Sequence, residues 1–369
     1  MTAAPLHVLV APDSFKGTLS SVQVASAIAA GWSRARPADE VRLAPLADGG
    51  EGTLVAIEAA GGWSRRLASV HGPLGWPARA AWLARVDETA AVVEMAQASG
   101  LSMVAPQARD AWGATSIGTG EVLRAVLDAG IRDIVLGIGG SATTDGGAGL
   151  LRGLGAVVDA ALTRVDLEDL DPRLIDVSLR VASDVTNPLL GPTGAAAVYG
   201  PQKGATPELV QRLDARLSTF ADALSAATHR DERETAGAGA AGGVGFALLS
   251  IATRFRSLEL VPGVDLVMAA AGFDEALAIA DLVITGEGRI DEQTAFGKTA
   301  MGVARRAQAA GVRCIAIGGG VTEEGRAALA AVGAESLAAH ERAISLDEAR
   351  AVGTAPIEAA AEAAARSLT

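Results

Sequence analysis

The sequence has a single cysteine, Cys314, and that scarcity excludes a good deal. No disulfide can form within the chain, and neither a Cys-rich zinc site nor a CxxC redox motif is available. Cys314 lies in the apolar run 312–317 and reads as a buried structural thiol. Aromatic residues make up only 3% of the chain, so alanine and the aliphatics must build the core, as in a helix-rich α/β protein. The four histidines, His7, His71, His229 and His340, fall outside the loops singled out below, which disfavours a His-based triad or a His-rich metal site. No apolar run reaches membrane-spanning length. The N-terminus lacks a basic n-region, and its first apolar run is too short for a signal peptide. A basic excess is missing too. The formal net charge is −12 at pH 7, which argues against nucleic acid and anionic membrane as partners, because phosphate backbones need a positive footprint. The expectation is a soluble, cytoplasmic protein, monomer or homodimer, that acts on a small molecule.

Glycine, by contrast, is abundant, at 44 residues. It clusters in polar loops with no collagen-like period and so reads as loop chemistry. The length of 369 residues favours two domains. Strand and helix alternate over the first ~60 residues and again from about Asp274. Between them lie short strands with turn signals such as "HGPLGWP", a long charged helix over about 207–227, and "HRDERET", which reads as a solvated, mobile connection. The pattern predicts a discontinuous flavodoxin-like or Rossmann-like parallel-sheet domain, residues 1–68 plus 283–369, with a mixed α/β domain inserted at 69–282.

Two standard phosphate signatures fail. "EQTAFGKT" offers Gly297-Lys298-Thr299, but the glycine that a Walker A loop needs earlier is Glu292. Gly237, Gly239 and Gly242 spell G-x-G-x-x-G, yet they follow "HRDERETA" and not a strand, so the dinucleotide context is missing. "GIGGSATTDGGAG" does follow a strand, Asp133–Leu136. Gly139 and Gly140 let backbone approach a ligand, Ser141, Thr143 and Thr144 offer hydroxyls, and a helix expected near Asp145 would point its free N–H groups at phosphate. Other polar stretches sit at strand exits, where α/β enzymes keep their chemistry. These are "APDSFKGTLS" with Asp13, Ser14 and Lys16; "PLADGGEGT" with Asp48; "ASDVTNPLLGPTGAAAVYGPQKGA" with Asp184, Gln202 and Lys203; and "TGEGRIDEQTAFGKT" with Glu287, Arg289, Asp291 and Lys298. Without histidine, the chemistry rests on carboxylates, Lys, Arg and backbone N–H groups. That inventory suits phosphoryl transfer, where positioning and charge neutralisation dominate.

Together with "GPLGWP…VVEMAQASGL" and "GAGAAGGVG", these stretches resemble the bacterial glycerate kinases of type I, in one order from Ala11 to Lys298. Thr144 stands where that family usually has Asn. The resemblance implies ATP, Mg²⁺ and D-glycerate, giving 2-phosphoglycerate by in-line transfer in an interdomain cleft. A non-catalytic binder of phosphorylated acids, a kinase giving 3-phosphoglycerate and a nicotinamide-dependent oxidoreductase are the alternatives. On this reading Lys16 neutralises an anion, Ser14 hydrogen-bonds it, and Asp13 orients Lys16 or binds a hydroxyl. Gln202, Lys203 and Arg289 add substrate contacts. Gly139, Gly140, Ser141, Thr143 and Lys298 hold the nucleotide phosphates. Asp48, Glu287 and Asp291 hold the metal, and Asp184 is the base that accepts the glycerate hydroxyl proton.

Overall fold

The computed structural model describes residues 4–292, 294, 299–340, 342 and 344–368. Among these the chain divides into two compact units. The first holds the residues up to Asp48, Val55–Gly61 and the chain from Val264 onward; the second holds Gly49–Leu54 and Gly62–Gly263.

The first unit begins with β1 (His7–Val10), buried along its last three residues. The helix Ser21–Ala35 follows. Ser20 caps it: the Gln23 N–H donates to Ser20 Oγ, and the Ser20 N–H donates back to the Gln23 side chain. β2 (Glu40–Leu43) then runs parallel to β1, and the chain leaves for the second unit. There β3 (Trp63–His71), β4 (Pro77–Arg85) and β5 (Ala90–Glu94) pair antiparallel. β6 (Asp133–Gly137) adds in parallel to β5, and a two-stranded ribbon of β7 (Val157–Val158) and β8 (Val165–Asp166) follows. β9 (Ser178–Ala182) and β10 (Ser257–Val261) complete a mixed sheet in the order β10-β9-β6-β5-β4-β3. The chain returns to the first unit with β11 (Leu282–Ile290), β12 (Arg313–Val321) and β13 (Ala334–Ala338). These give a parallel sheet in the order β13-β12-β11-β1-β2.

Both units are therefore α/β, one on a parallel sheet and the other, inserted into it, on a mixed sheet. In the first, Val8, Val10, Ile284, Ile315 and Ile317 pack with Ile28, Trp32 and Ile357 from the helices Ser21–Ala35 and Ala355–Arg366. Gly31 lets those two helices touch, because a Cβ there would stand 2.1 Å from the Glu358 carbonyl oxygen. In the second, Val93, Leu136 and Val181 belong to the same core as Phe220 and Phe246, whose rings meet edge to face.

Several elements differ from their sequence reading. The compact units divide at Gly61–Gly62, because β3 pairs with β4 along its whole length. They divide again at Gly263–Val264, where the Arg306 guanidinium ties Asp265 and Asp274 into the first unit. β10 alternates, with Ser257 and Glu259 exposed and Leu258 and Leu260 half-buried. "HRDERET" is pinned and not loose: Arg233 pairs with Asp222 and Asp231, and its carbonyl accepts the Leu189 N–H.

Candidate active site

The order of the parallel sheet fixes where a ligand can sit. From β1 the chain builds outward to β2; from β11 it builds the other way, to β12 and β13. The carboxyl ends of β1 and β11 therefore flank a topological switch point, the place where open α/β sheets bind ligands. The Asp13 N–H donates to the Gly286 carbonyl at 2.8 Å, so the two exits run side by side. Beyond Asp13 a tight turn closes between Phe15 and Leu19, with Gly17 in the left-handed region at φ +82°, and Lys16 stands at its tip. Lys16 Nζ donates to Asp48 Oδ2 at 2.7 Å.

Asp13 is buried, accepting the Ser14 N–H and the Thr299 hydroxyl, each at 2.6 Å. Burial, and then the Asp48 charge, push its carboxyl above the usual aspartate range. Burial pulls the Lys16 ammonium down, but Asp48, Asp13 and Glu287 outweigh it and leave its pKa raised. Glu287, on β11 itself, is buried and accepts the Thr294 hydroxyl. Arg289 follows two residues on, facing the same side of the strand. These groups line a cavity of about 530 Å³ within the first unit, and Thr322, His340, Arg342 and Ser345 line it too.

In the second unit, the loop after β6 crosses the backbone of Gly49 and Gly50. A Cβ on Gly139 would stand 2.6 Å from Gly50 Cα, so only glycine fits there. Gly140 is exposed at φ +71°, and its carbonyl accepts the Leu101 N–H. The buried carboxyl of Glu94, at the end of β5, accepts the Gly52 and Leu54 N–H groups and holds the crossing segment in place; burial raises its pKa. Asp145 accepts from the Ser116 N–H and hydroxyl and from the N–H groups of Gly147 and Gly149. Behind the loop, Gly242 packs so closely that a Cβ would meet the Thr143 carbonyl oxygen at 2.0 Å. The glycines of "GAGAAGGVG" thus serve backbone packing.

A profile of the Glycerate kinase family matches residues 8–369. The chain belongs to the glycerate kinase family. It is 42% identical over 368 residues to a glycerate kinase of Halalkalibacterium halodurans, covering 96% of each chain. It is 43% identical over 333 residues to the glycerate 2-kinase of Escherichia coli K12, covering 86% of each. A solved structure of a candidate glycerate kinase 2 from Salmonella typhimurium LT2 matches with a TM-score of 0.84 at 41% identity, over 99% of this chain and 98% of that one. The protein is a kinase with ATP as its phosphate donor, which removes the binder and oxidoreductase readings.

Within this glycerate kinase the first unit brings together Asp13, Ser14, Lys16, Asp48, Glu287 and Arg289 around one cavity. Asp291 does not line it and lies instead 3.5 Å from Arg289 Nε. Among the described residues no three His, Cys, Asp or Glu side chains converge as a metal centre, so Asp48, Glu287 and Asp291 are not a three-carboxylate set. Mg²⁺ needs less, because it keeps several waters and takes one or two carboxylates beside substrate phosphates. Asp48 and Glu287, lining one cavity, fit that demand.

In the second unit Gly140 is exposed and Gly139 half-buried, while Ser141 is buried and its hydroxyl accepts from Lys203 Nζ. Thr143 is a correction: it is fully buried, its hydroxyl 3.4 Å from the Ala241 carbonyl, and it presents nothing to a nucleotide. Lys203 is a second correction. It is 1% exposed, with Nζ 2.9 Å from Ser141 Oγ and 2.5 Å from the Thr143 carbonyl, so it does not reach a substrate directly. The helix starts at Ala148 and not near Asp145, because Gly146 and Gly147 adopt left-handed backbone, and Asp145 already takes two of its amides. Gln202 is exposed. Asp184, exposed after β9, accepts the Gly263 N–H at 3.0 Å. Lys298 lies outside the described residues. His340 and Arg342 were the residues that sequence reasoning missed. They follow the last strand of the parallel sheet, and only its strand order carries them to the cavity.

Proposed function

We propose that this chain phosphorylates D-glycerate at its 2-hydroxyl with Mg·ATP, giving 2-phosphoglycerate. One observation carries the site assignment: Lys16 and Arg289 share the switch-point cavity with Asp13, Asp48 and Glu287. Glycerate is a small anion with two hydroxyls, and cations beside carboxylates match its two kinds of group. The 43% identity to a protein named glycerate 2-kinase supports the choice of hydroxyl.

In this reading Lys16 and Arg289 bind the glycerate carboxylate, and Ser14 and Asp13 orient a hydroxyl. Asp184 takes the proton from the attacking hydroxyl. Gly139, Gly140 and Ser141 cradle the nucleotide phosphates. Asp48 and Glu287 would hold Mg²⁺, which offsets phosphate charge when bound. The protein residues position and neutralise, which is most of what phosphoryl transfer asks.

The test is ADP release with D-glycerate, L-glycerate and no acid, each with and without Mg²⁺. Turnover confined to D-glycerate plus metal supports the reading. Equal turnover of both enantiomers, or full activity in EDTA, overturns it.

A further inference from the structure

We propose that Lys203 is the positioning residue of the glycine-serine loop: its ammonium holds Ser141 and the Thr143 carbonyl in place and supplies a buried positive charge behind the nucleotide phosphates. This rests on the reading that Gly139–Ser141 is the phosphate site.

Lys203 closes the short turn Pro201–Lys203, and Gly204 follows it in left-handed backbone. The side chain runs inward and ends on two acceptors, Ser141 Oγ and the Thr143 carbonyl. Both are buried and belong to the loop after β6, directly past its exposed Gly140, so one side chain fixes the residues on which the glycines rest. An ammonium buried this deeply is unfavourable unless it is paired. Among the described residues, no carboxylate lies within ion-pair distance of Lys203. The carboxylate that acts on it is Asp145, which is already engaged by Ser116 and two glycine amides. The surrounding charges are Arg109, Arg152, Arg216 and Asp110. Arg109 donates to the neighbouring Gln202 carbonyl and packs against Gly204, and Arg216 feels Asp145 from the helix Pro207–Thr228. The protein thus buries an amine short of negative charge beside a loop whose Gly139 and Gly140 let a phosphate approach the backbone. A nucleotide phosphate seated on the glycines of this loop would supply what is missing.

Burial draws the Lys203 ammonium down to about 7, partly opposed by Asp145. The free enzyme therefore holds this lysine partly in its neutral form at alkaline pH. Phosphate nearby favours the charged form, so nucleotide binding must take up a proton.

The experiment is isothermal titration of Mg·ADP into the full chain at pH 8, in two buffers of different ionisation enthalpy. At that pH the nucleotide brings no proton change of its own. Net uptake of a fraction of one proton is expected. In Lys203→Met the uptake should vanish and the Kd rise ~10–100-fold, the loss of one charged hydrogen-bonding group. No proton uptake by the wild-type protein overturns the proposal without any variant. Uptake that persists in Lys203→Met overturns it as well. Gly140→Asp separates this failure from that of the underlying reading. Weaker binding in Gly140→Asp, with no proton uptake in the wild type, keeps the loop as the phosphate site and removes Lys203. Unchanged binding in Gly140→Asp removes the loop itself, and the proposal with it.

Discussion

Lys16 and Asp48 meet at 2.7 Å, joining the loop after β1 to the loop after β2 at the wall of one cavity. The pair is solvent-facing, so it adds little to stability, about 0–1 kcal/mol. Its value lies in presenting a cation with a fixed direction.

Lys16→Ala should therefore separate function from fold. A kcat/KM loss of ~10²–10³-fold for D-glycerate is expected, the size of losing one fixed charge at a reacting anion. The melting temperature should move by no more than a degree or two. A rise in KM alone places Lys16 on the carboxylate, and a fall in kcat places it on the transferring group. Unchanged kinetics would make it a surface residue.

Asp13 carries a sign that opposes stability. Burial and Asp48 raise its carboxyl in the folded state, so the folded protein binds that proton more tightly than the unfolded chain. Its contribution is favourable below the unfolded pKa and is lost as pH rises through the folded one. Asp13→Asn should accordingly raise the melting temperature at pH 7–8, and the gain should shrink toward pH 4. Activity should fall at the same time, a stability–activity exchange. A variant less stable than wild type at pH 8 would show that the carboxylate is needed structurally.

Asp184→Asn keeps the acceptor for the Gly263 N–H and removes basicity. A kcat loss of ~10²–10⁴-fold with nearly unchanged KM for ATP is expected of a general base. The assay is kcat across a Mg²⁺ series. Recovery at high metal would move Asp184 to the metal, and a wild-type rate throughout would remove it from the site.

Gly139 and Gly61 test close packing against backbone strain. A Cβ on Gly139 meets Gly50 backbone at 2.6 Å, whereas Gly61 has φ +87° and open space around it. Gly61→Ala should cost about 1–2 kcal/mol through left-handed strain alone. Gly139→Ala should cost about 1–3 kcal/mol through overpacking and should also raise KM for ATP. Denaturant melts and ATP saturation curves check both. An unchanged KM would detach the Gly50 contact from nucleotide binding.

The parallel strands were legible because buried strands read as unbroken apolar runs, as in Leu282–Ile284 and Ile315–Ile317. Their glycine-containing ends were not legible. β11 continues through Gly286 to Ile290, and β12 continues to Val321. A Cβ on Gly286 would meet the Ile317 carbonyl oxygen at 2.4 Å, so these glycines allow close strand packing and do not end the strands. The loops of the site were legible from their polar residues. Burial was not: nothing near Gln202-Lys203-Gly204 distinguishes a lysine pointing inward from one pointing out. His340 was invisible for another reason, since its place depends on strand order and not on local sequence.

The choice of hydroxyl is the claim on which the substrate reading turns, and proton-coupled phosphorus NMR of the product reads it directly. In 2-phosphoglycerate the phosphorus couples to the single proton on C2, and in 3-phosphoglycerate to the pair on C3. A doublet is the expected result with D-glycerate and Mg·ATP; a triplet as the first-formed signal would contradict the assignment.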